Sequence, residues 1–142
     1  MGAPHLNNVL AAIERDVAGA DIAIMLDIDG YVAEGPGYNI MMAKDGVIYT
    51  PTTRNALPGV TLAALIELAR RDGYTVIETD RMEVFDLCTA DEFWTTSSML
   101  FMLPVTEIDG RKIGDGKAGP IMMRLRQLLV EEMDKEVERF FG

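Results

Sequence analysis

The middle of the chain carries a pattern of apolar segments and turn residues that predicts a strand hairpin. Asn39–Lys44 and residues 47–50 are rich in apolar and β-branched side chains. They flank Asp45-Gly46, a dipeptide typical of two-residue hairpin turns, and Pro51 is expected to end the second strand. Further short apolar segments predict strands or extended chain at 21–27, 31–34, 74–78, 93–96 and 101–108.

Three longer segments have apolar residues at helical spacing. They cover residues 5–18, 61–71 and Pro120–Phe141, with a short helical turn or loop expected at 86–92 and a glycine-containing loop at 109–119. Strands in hairpins, interrupted by three helices, are not typical of a regular βαβ winding. We therefore expect an α+β fold with a barrel-like mixed sheet and three main helices, in a single domain over residues 1–142.

Composition narrows the class of protein. The 142 residues are 49% hydrophobic and 25% charged, the balance of an ordinary globular domain. A single cysteine, Cys88, excludes a disulfide scaffold, and a single histidine, His5, excludes a zinc site built from several histidines. No apolar run is long enough for a membrane span, and a net charge of -10 argues against a nucleic-acid partner. We expect a cytoplasmic protein without a membrane or nucleic-acid partner and without a metal.

Three short motifs could carry chemistry, and each also has an ordinary structural explanation. LPGVT (57–61) begins a predicted helix, whose free N–H groups and Thr61 hydroxyl could bind a phosphate or simply cap the helix. Glu34 precedes a glycine turn between apolar segments, where it could pair with a protonated ring nitrogen or be solvated at a hairpin tip. TTSS (95–98) could present hydroxyls to an anion or form a polar turn.

Six segments, taken in order along the chain, resemble class IV pyridoxal-phosphate aminotransferases. This is the fold type IV group that contains the branched-chain and D-amino acid aminotransferases. The segments are GYVAEGPGYNI (30–40), KDGVIYTP (44–51), LPGVT (57–61), DLCTADEFWTTSS (86–98), PVTEIDGRKIGDGKAGP (104–120) and the closing helix. The resemblance implies the fold of the large, cofactor-binding C-terminal domain of these enzymes, with pyridoxal 5′-phosphate as the cofactor.

At the ring of the cofactor, the resemblance assigns four residues. Glu34 would pair with the protonated pyridine nitrogen and deepen the electron sink, and Leu57 would pack against the ring. Met99 would lie near the place where the substrate carboxylate is received. His5 stands where the family often has an aromatic residue near the phenolic oxygen of the cofactor.

At the phosphate, the resemblance assigns two short stretches of chain. The backbone of Gly59, Val60 and Thr61, together with the Thr61 hydroxyl, would hold the phosphate. Ser98, with Ser97 beside it, matches the position of a second phosphate-contacting hydroxyl. Motifs that are ambiguous one by one thus predict one pocket, with the ring nitrogen at one end and the phosphate at the other.

The catalytic lysine of the family has no match in this sequence. The resemblance places that Schiff-base lysine at Met1 or one residue before it, and the small N-terminal domain has no counterpart. We therefore expect a truncated chain or fragment that cannot transaminate alone, because losing a positioned acid–base costs about 10²–10⁴-fold in rate. The complete enzyme would be a homodimer that acts on an amino acid and a 2-oxo acid. The lysines present, which fall in other motifs, are Lys44, Lys112, Lys117 and Lys135.

Two other functions stay open on the residues alone. MLDIDG (25–30) resembles the nucleophile loop of haloacid-dehalogenase-like phosphatases, and IGDG (113–116) resembles their late acidic motif. In that chemistry Asp27 would attack phosphorus, Asp29 would act as acid–base and Mg²⁺ would neutralise charge. Tyr31 and Gly119 depart from the phosphatase pattern. The other alternative is a non-catalytic domain that binds a phosphate-bearing ligand or a partner chain.

Overall fold

The computed structural model describes residues 24, 26, 29–33, 38–52, 60–97, 101–108 and 110–141. Within these residues the chain forms seven strands and three helices. The strands are β1 (Asn39–Lys44), β2 (Val47–Pro51), β3 (Val76–Thr79), β4 (Glu92–Ser97), β5 (Phe101–Pro104), β6 (Glu107–Ile108) and β7 (Arg111–Lys112). The helices are α1 (Val60–Arg71), α2 (Val84–Cys88) and α3 (Pro120–Phe141).

Five strands form one mixed sheet in the order β3-β2-β1-β4-β5, and β6 pairs with β7 in a separate hairpin. β1 lies at the centre and runs antiparallel to both of its neighbours, β2 and β4. β5 is antiparallel to β4, whereas β3 is parallel to β2 and is reached through α1. As a result, β2, β3 and β4 run in one direction, and β1 and β5 run in the other.

Both faces of the sheet are covered. On the helix face, sheet side chains pack with α1 and α3 in a cluster made of Met41, Ala43, Ile48, Leu62, Leu65, Leu68, Ala69, Val76, Trp94, Met102, Met122, Leu125 and Leu129. On the opposite face, a second cluster contains Val32, Ile40, Met42, Met82, Leu87, Ala90, Phe93, Ile108 and Ile113. Since side chains alternate along a strand, β1 and β4 contribute to both clusters, and their central residues are buried on either side.

The predicted α+β class with a mixed sheet is confirmed, and so are the elements that a local signal marks. β1 and α3 begin and end at the predicted residues. Asp45-Gly46 forms the hairpin turn with positive φ angles of 52° and 80°, as such a turn requires. α1 ends at Arg71, and Gly73 follows with a φ of 96°, the usual conformation after a helix end.

Other predictions were wrong in detail. The strand predicted at 101–108 is two strands, because β5 ends at Pro104, which has no N–H for the ladder, and β6 then pairs with β7. β7 lies inside the segment predicted as a loop, and α2 begins two residues before the expected turn. The parallel β2–α1–β3 unit was not predicted, and β3 begins only at Val76. The helix predicted at 5–18 lies outside the described residues.

The N-terminus of α3 is capped by a side chain from the sheet. Pro120 has no N–H, and the N–H of Met123 donates to the Gly119 carbonyl at 3.1 Å. The two N–H groups between them, of Ile121 and Met122, donate to the Glu92 carboxylate at 3.1 and 2.9 Å. A Cβ atom on Gly119 would overlap the Glu92 side chain, so glycine leaves the space that this cap needs. The buried Glu92 thereby fixes α3 to the first residue of β4.

At the other side of the helix face, an ion pair joins α1 to α3. Arg124 Nε and Nη2 donate to the two carboxylate oxygens of Asp72 at 3.0 and 2.9 Å. The hydrogen bond from Arg124 lowers the pKa of the Asp72 carboxyl, against a smaller opposing effect of burial. The same hydrogen bond raises the pKa of Arg124. The pair is bidentate, which is the geometry that makes such a contact specific.

Replacing Glu92 by glutamine is expected to lower the free energy of unfolding by about 1–2 kcal/mol, because one helix N–H loses its acceptor and the N-terminus loses its negative charge. Urea denaturation measures the loss. The control is Glu107→Gln on the exposed surface of β6, which should unfold at the wild-type midpoint. An E92Q protein as stable as wild type would contradict the capping role.

Replacing Asp72 by asparagine should destabilise the protein in a pH-dependent way. The folded-state pKa of Asp72 is lowered, so its contribution is complete well above the unfolded-state value of about 3.9. It is lost as the pH falls through the folded-state pKa. The difference in unfolding free energy between wild type and D72N should therefore be constant from about pH 6 to pH 7 and vanish in acid. Glu67→Gln, which alters an exposed pair 3.9 Å apart, should show a smaller difference throughout.

Candidate functional site at the hydroxyl edge

The strand directions bring several hydroxyl side chains to one edge of the sheet. β2, β3 and β4 run in the same direction, so their C-terminal ends lie side by side with the N-terminal end of β1. The residues at these ends are Thr52, Thr79, Thr96 and Ser97, and we call this place the hydroxyl edge. The C-terminal ends of parallel strands are where sheets that carry helices usually bind ligands.

The first turn of α1 lies at the same edge. α1 connects the C-terminal end of β2 to the start of β3, so the helix must begin beside the hydroxyl edge and run back along the sheet. Thr61, half-buried, is its second residue, and no acidic side chain occupies its first turn. The N–H groups of a first helical turn have no partner within the helix, and together with the positive end of the helix dipole they favour a negatively charged group here.

The threonines near this edge differ in how their hydroxyls are satisfied. Thr50 Oγ1 donates to the Ile40 carbonyl at 2.7 Å, and Thr79 Oγ1 accepts the N–H of Arg81 at 3.1 Å. Thr52 Oγ1 and Thr96 Oγ1 are buried and have no hydrogen-bond partner in the part of the chain that the structure describes. A buried hydroxyl without a partner costs about 1–3 kcal/mol, so these two atoms require an explanation.

Three of the residues that the sequence singled out lie in described elements that end or begin at the hydroxyl edge. Val60 is the first residue of α1, Thr61 follows it, and Ser97 is the last residue of β4. Residues 95–97 belong to a strand, which corrects the expectation that strand 93–96 gives way to a turn at Thr96. The other predicted contacts lie outside the described residues: His5, Glu34, Leu57, Gly59, Ser98 and Met99.

Thr52 and Thr96 are the polar residues that the sequence reading missed. Thr96 lies inside the TTSS motif, but the motif was considered as a turn, in which the direction of each hydroxyl is undetermined. Once 95–97 are a strand, alternation places Thr96 on the same face as Trp94. The signal that could have identified Thr96 is therefore its position two residues after Trp94, a large apolar residue, because residues two apart in a strand share a face.

The four lysines belong to other parts of the fold. Lys44 ends β1 and its Nζ donates to Thr89 Oγ1 at 3.2 Å, at the edge of the sheet opposite to the hydroxyl edge. Lys112 and Lys117 lie in β7 and the turn that follows it, and Lys135 is exposed on α3 near Glu132. In the described ranges, no lysine Nζ therefore lies at the hydroxyl edge.

The residues of the phosphatase alternative form no comparable site. Asp29 is exposed beside Gly30, whose φ of 86° is typical of a turn, and Asp27 lies outside the described residues. Asp115 Oδ1 accepts the N–H of Lys117 at 3.0 Å, closing a turn. Among the residues with described positions, no group of three His, Cys, Asp or Glu side chains is arranged to hold a metal. No described helix is long and apolar enough to cross a membrane.

An open groove of about 530 Å³ runs along the outer side of α1. It is lined by Ala63, Ile66, Glu67, Arg70, Arg71 and Glu78. Its charged groups already face one another, with 3.6 Å between Arg70 and Glu78 and 3.9 Å between Arg71 and Glu67. Arg70 also donates to the Val76 carbonyl at 3.0 Å. The groove offers fewer unsatisfied polar groups than the hydroxyl edge, so we place the candidate site at that edge.

Comparison with known proteins gives a consistent result. The family model described as "Amino-transferase class IV" matches residues 2–108. Branched-chain-amino-acid aminotransferase-like protein 2 of Arabidopsis thaliana is 46% identical over 121 residues, which are 85% of this chain and 22% of that protein. The branched-chain-amino-acid aminotransferase of Pseudomonas aeruginosa is 40% identical over 134 residues, which are 94% of this chain and 43% of that protein.

A solved structure shares the fold. The branched-chain amino acid aminotransferase from Thermobaculum terrenum, in its PLP-form, superposes with a TM-score of 0.84 at 32% identity. The match covers 91% of this chain and 42% of that one. The chain thus spans less than half the length of the relatives that it matches.

Proposed function

Because this chain belongs to the class IV aminotransferases, we propose that it forms the pyridoxal-phosphate-binding part of an enzyme that moves an amino group between a branched-chain amino acid and a 2-oxo acid. The names of its relatives support the substrate class. The observation that carries the proposal is the hydroxyl edge, where the ends of three strands meet the N-terminus of a 12-residue helix.

The groups at the hydroxyl edge fit a phosphate. A phosphate brings negative charge and several acceptor oxygens, whereas the edge offers the Thr61 hydroxyl and the first-turn N–H groups of α1, which have no partner within the helix. Two buried hydroxyls, of Thr52 and Thr96, have no partner in the described chain and add donors at this edge. In the proposed complex, Val60 and Thr61 hold the phosphate through their backbone, together with Gly59, and Ser97 and Ser98 close its other side.

The remaining contacts of the cofactor are proposed from the family resemblance. Glu34 pairs with the ring nitrogen, Leu57 packs against the ring, and Met99 and His5 lie near the substrate carboxylate and the phenolic oxygen. When bound, pyridoxal phosphate supplies an electron sink for the carbon that bears the amino group.

We further propose that the 142-residue chain binds the cofactor but does not transaminate by itself. Proton transfer at that carbon requires a base beside it, and the described lysines lie in other parts of the fold. The proposal includes a single domain, a homodimer of the complete protein and a cytoplasmic location. The single cysteine, the half-buried Cys88, forms no disulfide within the chain, which is compatible with that location.

The cofactor-binding part of the proposal predicts that the phosphate supplies much of the affinity. Pyridoxamine 5′-phosphate, which cannot react with lysines, should bind this chain about tenfold or more tightly than pyridoxamine, since several hydrogen bonds to a charged group are lost with the phosphate. Isothermal titration calorimetry measures both constants. Inorganic phosphate should compete with pyridoxamine 5′-phosphate and not with pyridoxamine.

The same preparation tests the absence of turnover. With pyridoxal phosphate, leucine and 2-oxoglutarate, we expect no glutamate above a control without protein, while binding persists. Equal affinity for pyridoxamine and its phosphate would overturn the phosphate site. Glutamate formation would overturn the proposal that this chain is inactive alone. Borohydride reduction followed by mass spectrometry would then identify the lysine responsible.

A further inference from the structure

Thr96 occupies an unusual position in the sheet. It pairs with Asn39 of β1 on one side and with Met102 of β5 on the other, at the end of β4 that forms the hydroxyl edge. Alternation along β4 directs its side chain to the helix face, where Trp94 and Met102 belong to the buried cluster. The residue is 1% exposed, and Thr96 Oγ1 has no partner among the described residues.

A threonine in this place needs a reason, because valine has the same shape and carries no hydroxyl to satisfy. Thr50, also fully buried near the same edge, shows how the sheet satisfies such a group, since its Oγ1 donates to the Ile40 carbonyl. Within the described chain, Thr96 has no equivalent carbonyl. Both helices that cover this face, α1 and α3, contact β4. α1 begins at the hydroxyl edge, where the N–H groups of a first helical turn have no partner within the helix. Thr96 and the start of α1 thus lie at the same edge of the sheet and on the same face.

We infer that the Thr96 hydroxyl donates a hydrogen bond to the phosphate bound at the N-terminus of α1, which makes Thr96 a ligand-binding residue beyond those that the family resemblance assigns. The inference rests on the proposed function, since it takes the cofactor's phosphate as the acceptor. A hydroxyl that gains its hydrogen bond only when the ligand binds strengthens binding and does not stabilise the ligand-free protein. The ligand-free protein should therefore lose nothing when this hydroxyl is removed.

Two isosteric substitutions separate binding from folding. Thr96→Val removes the unpartnered hydroxyl, and Thr50→Val removes one that already has a partner. Without ligand, T96V should melt at or above the wild-type temperature, whereas T50V should melt about 3–6 °C lower. With pyridoxamine 5′-phosphate, T96V should bind about 10- to 100-fold more weakly, and T50V should bind as wild type does. Thr96→Ser keeps the hydroxyl and should restore binding.

Trp94 provides a second readout of binding. It is the only tryptophan of the chain, is fully buried, and lies two residues from Thr96 on the same face of β4, about 7 Å away. A ligand at the hydroxyl edge should quench its fluorescence in wild type, T50V and T96S at the concentrations that calorimetry gives. In T96V the same quenching should require a higher concentration of pyridoxamine 5′-phosphate, in line with its weaker binding.

The outcomes distinguish this inference from the proposed function. If wild type binds pyridoxamine 5′-phosphate no better than pyridoxamine, the proposed phosphate site fails and this inference fails with it. If wild type and T96V bind the phosphate ligand equally, the Thr96 inference is overturned and the proposed function stands. If T96V melts several degrees lower than wild type without ligand, its hydroxyl has a structural partner and the inference is also overturned.

Discussion

The central position of β1 is the constraint on which the rest of the structure depends. Because β1 is antiparallel to both β2 and β4, those two strands must run in the same direction, although a hairpin joins β1 to only one of them. The crossover through α1 then adds β3 in that direction as well. Three strand ends and one helix start therefore share an edge. Without this arrangement, Thr61 and Ser97 would belong to unrelated parts of the surface.

The two ends of β4 show how differently polar groups can be treated within one strand. At its beginning, the Glu92 carboxylate receives two N–H groups of α3, so the sheet and the helix satisfy each other. At its end, Thr96 Oγ1 has no such partner in the described chain. A polar group that is satisfied in the folded chain contributes to stability, whereas one that awaits an acceptor lowers stability until the acceptor arrives. The strand thus carries a polar side chain that the fold satisfies at one end and a buried hydroxyl without a described partner at the other.

Local signals explain which parts of this fold were predictable. Asp45-Gly46 fixed the hairpin and the 22-residue apolar periodicity fixed α3, because both act within a few residues. The β6–β7 pairing and the parallel β2–β3 pairing depend on contacts between distant segments, which a single sequence does not encode in any local pattern. For the site, the family motifs predicted Thr61 and Ser97 as phosphate contacts, which stays a prediction, and the direction of the Thr96 side chain followed only from strand alternation.

Burial of the sheet on both faces has a consequence for how the chain finds its register. Met41 and Met42 face opposite clusters, and so do Phe93 and Trp94, so a shift of one residue between β1 and β4 would exchange similar apolar side chains. The apolar pattern alone therefore distinguishes poorly between the native pairing and its nearest slipped alternatives. Glu92 makes the distinction, because only the native register delivers its carboxylate to α3 instead of burying it against hydrocarbon. The hydrogen bonds between Glu92 and α3, the last element of the described chain, thus favour the native register over its slipped alternatives.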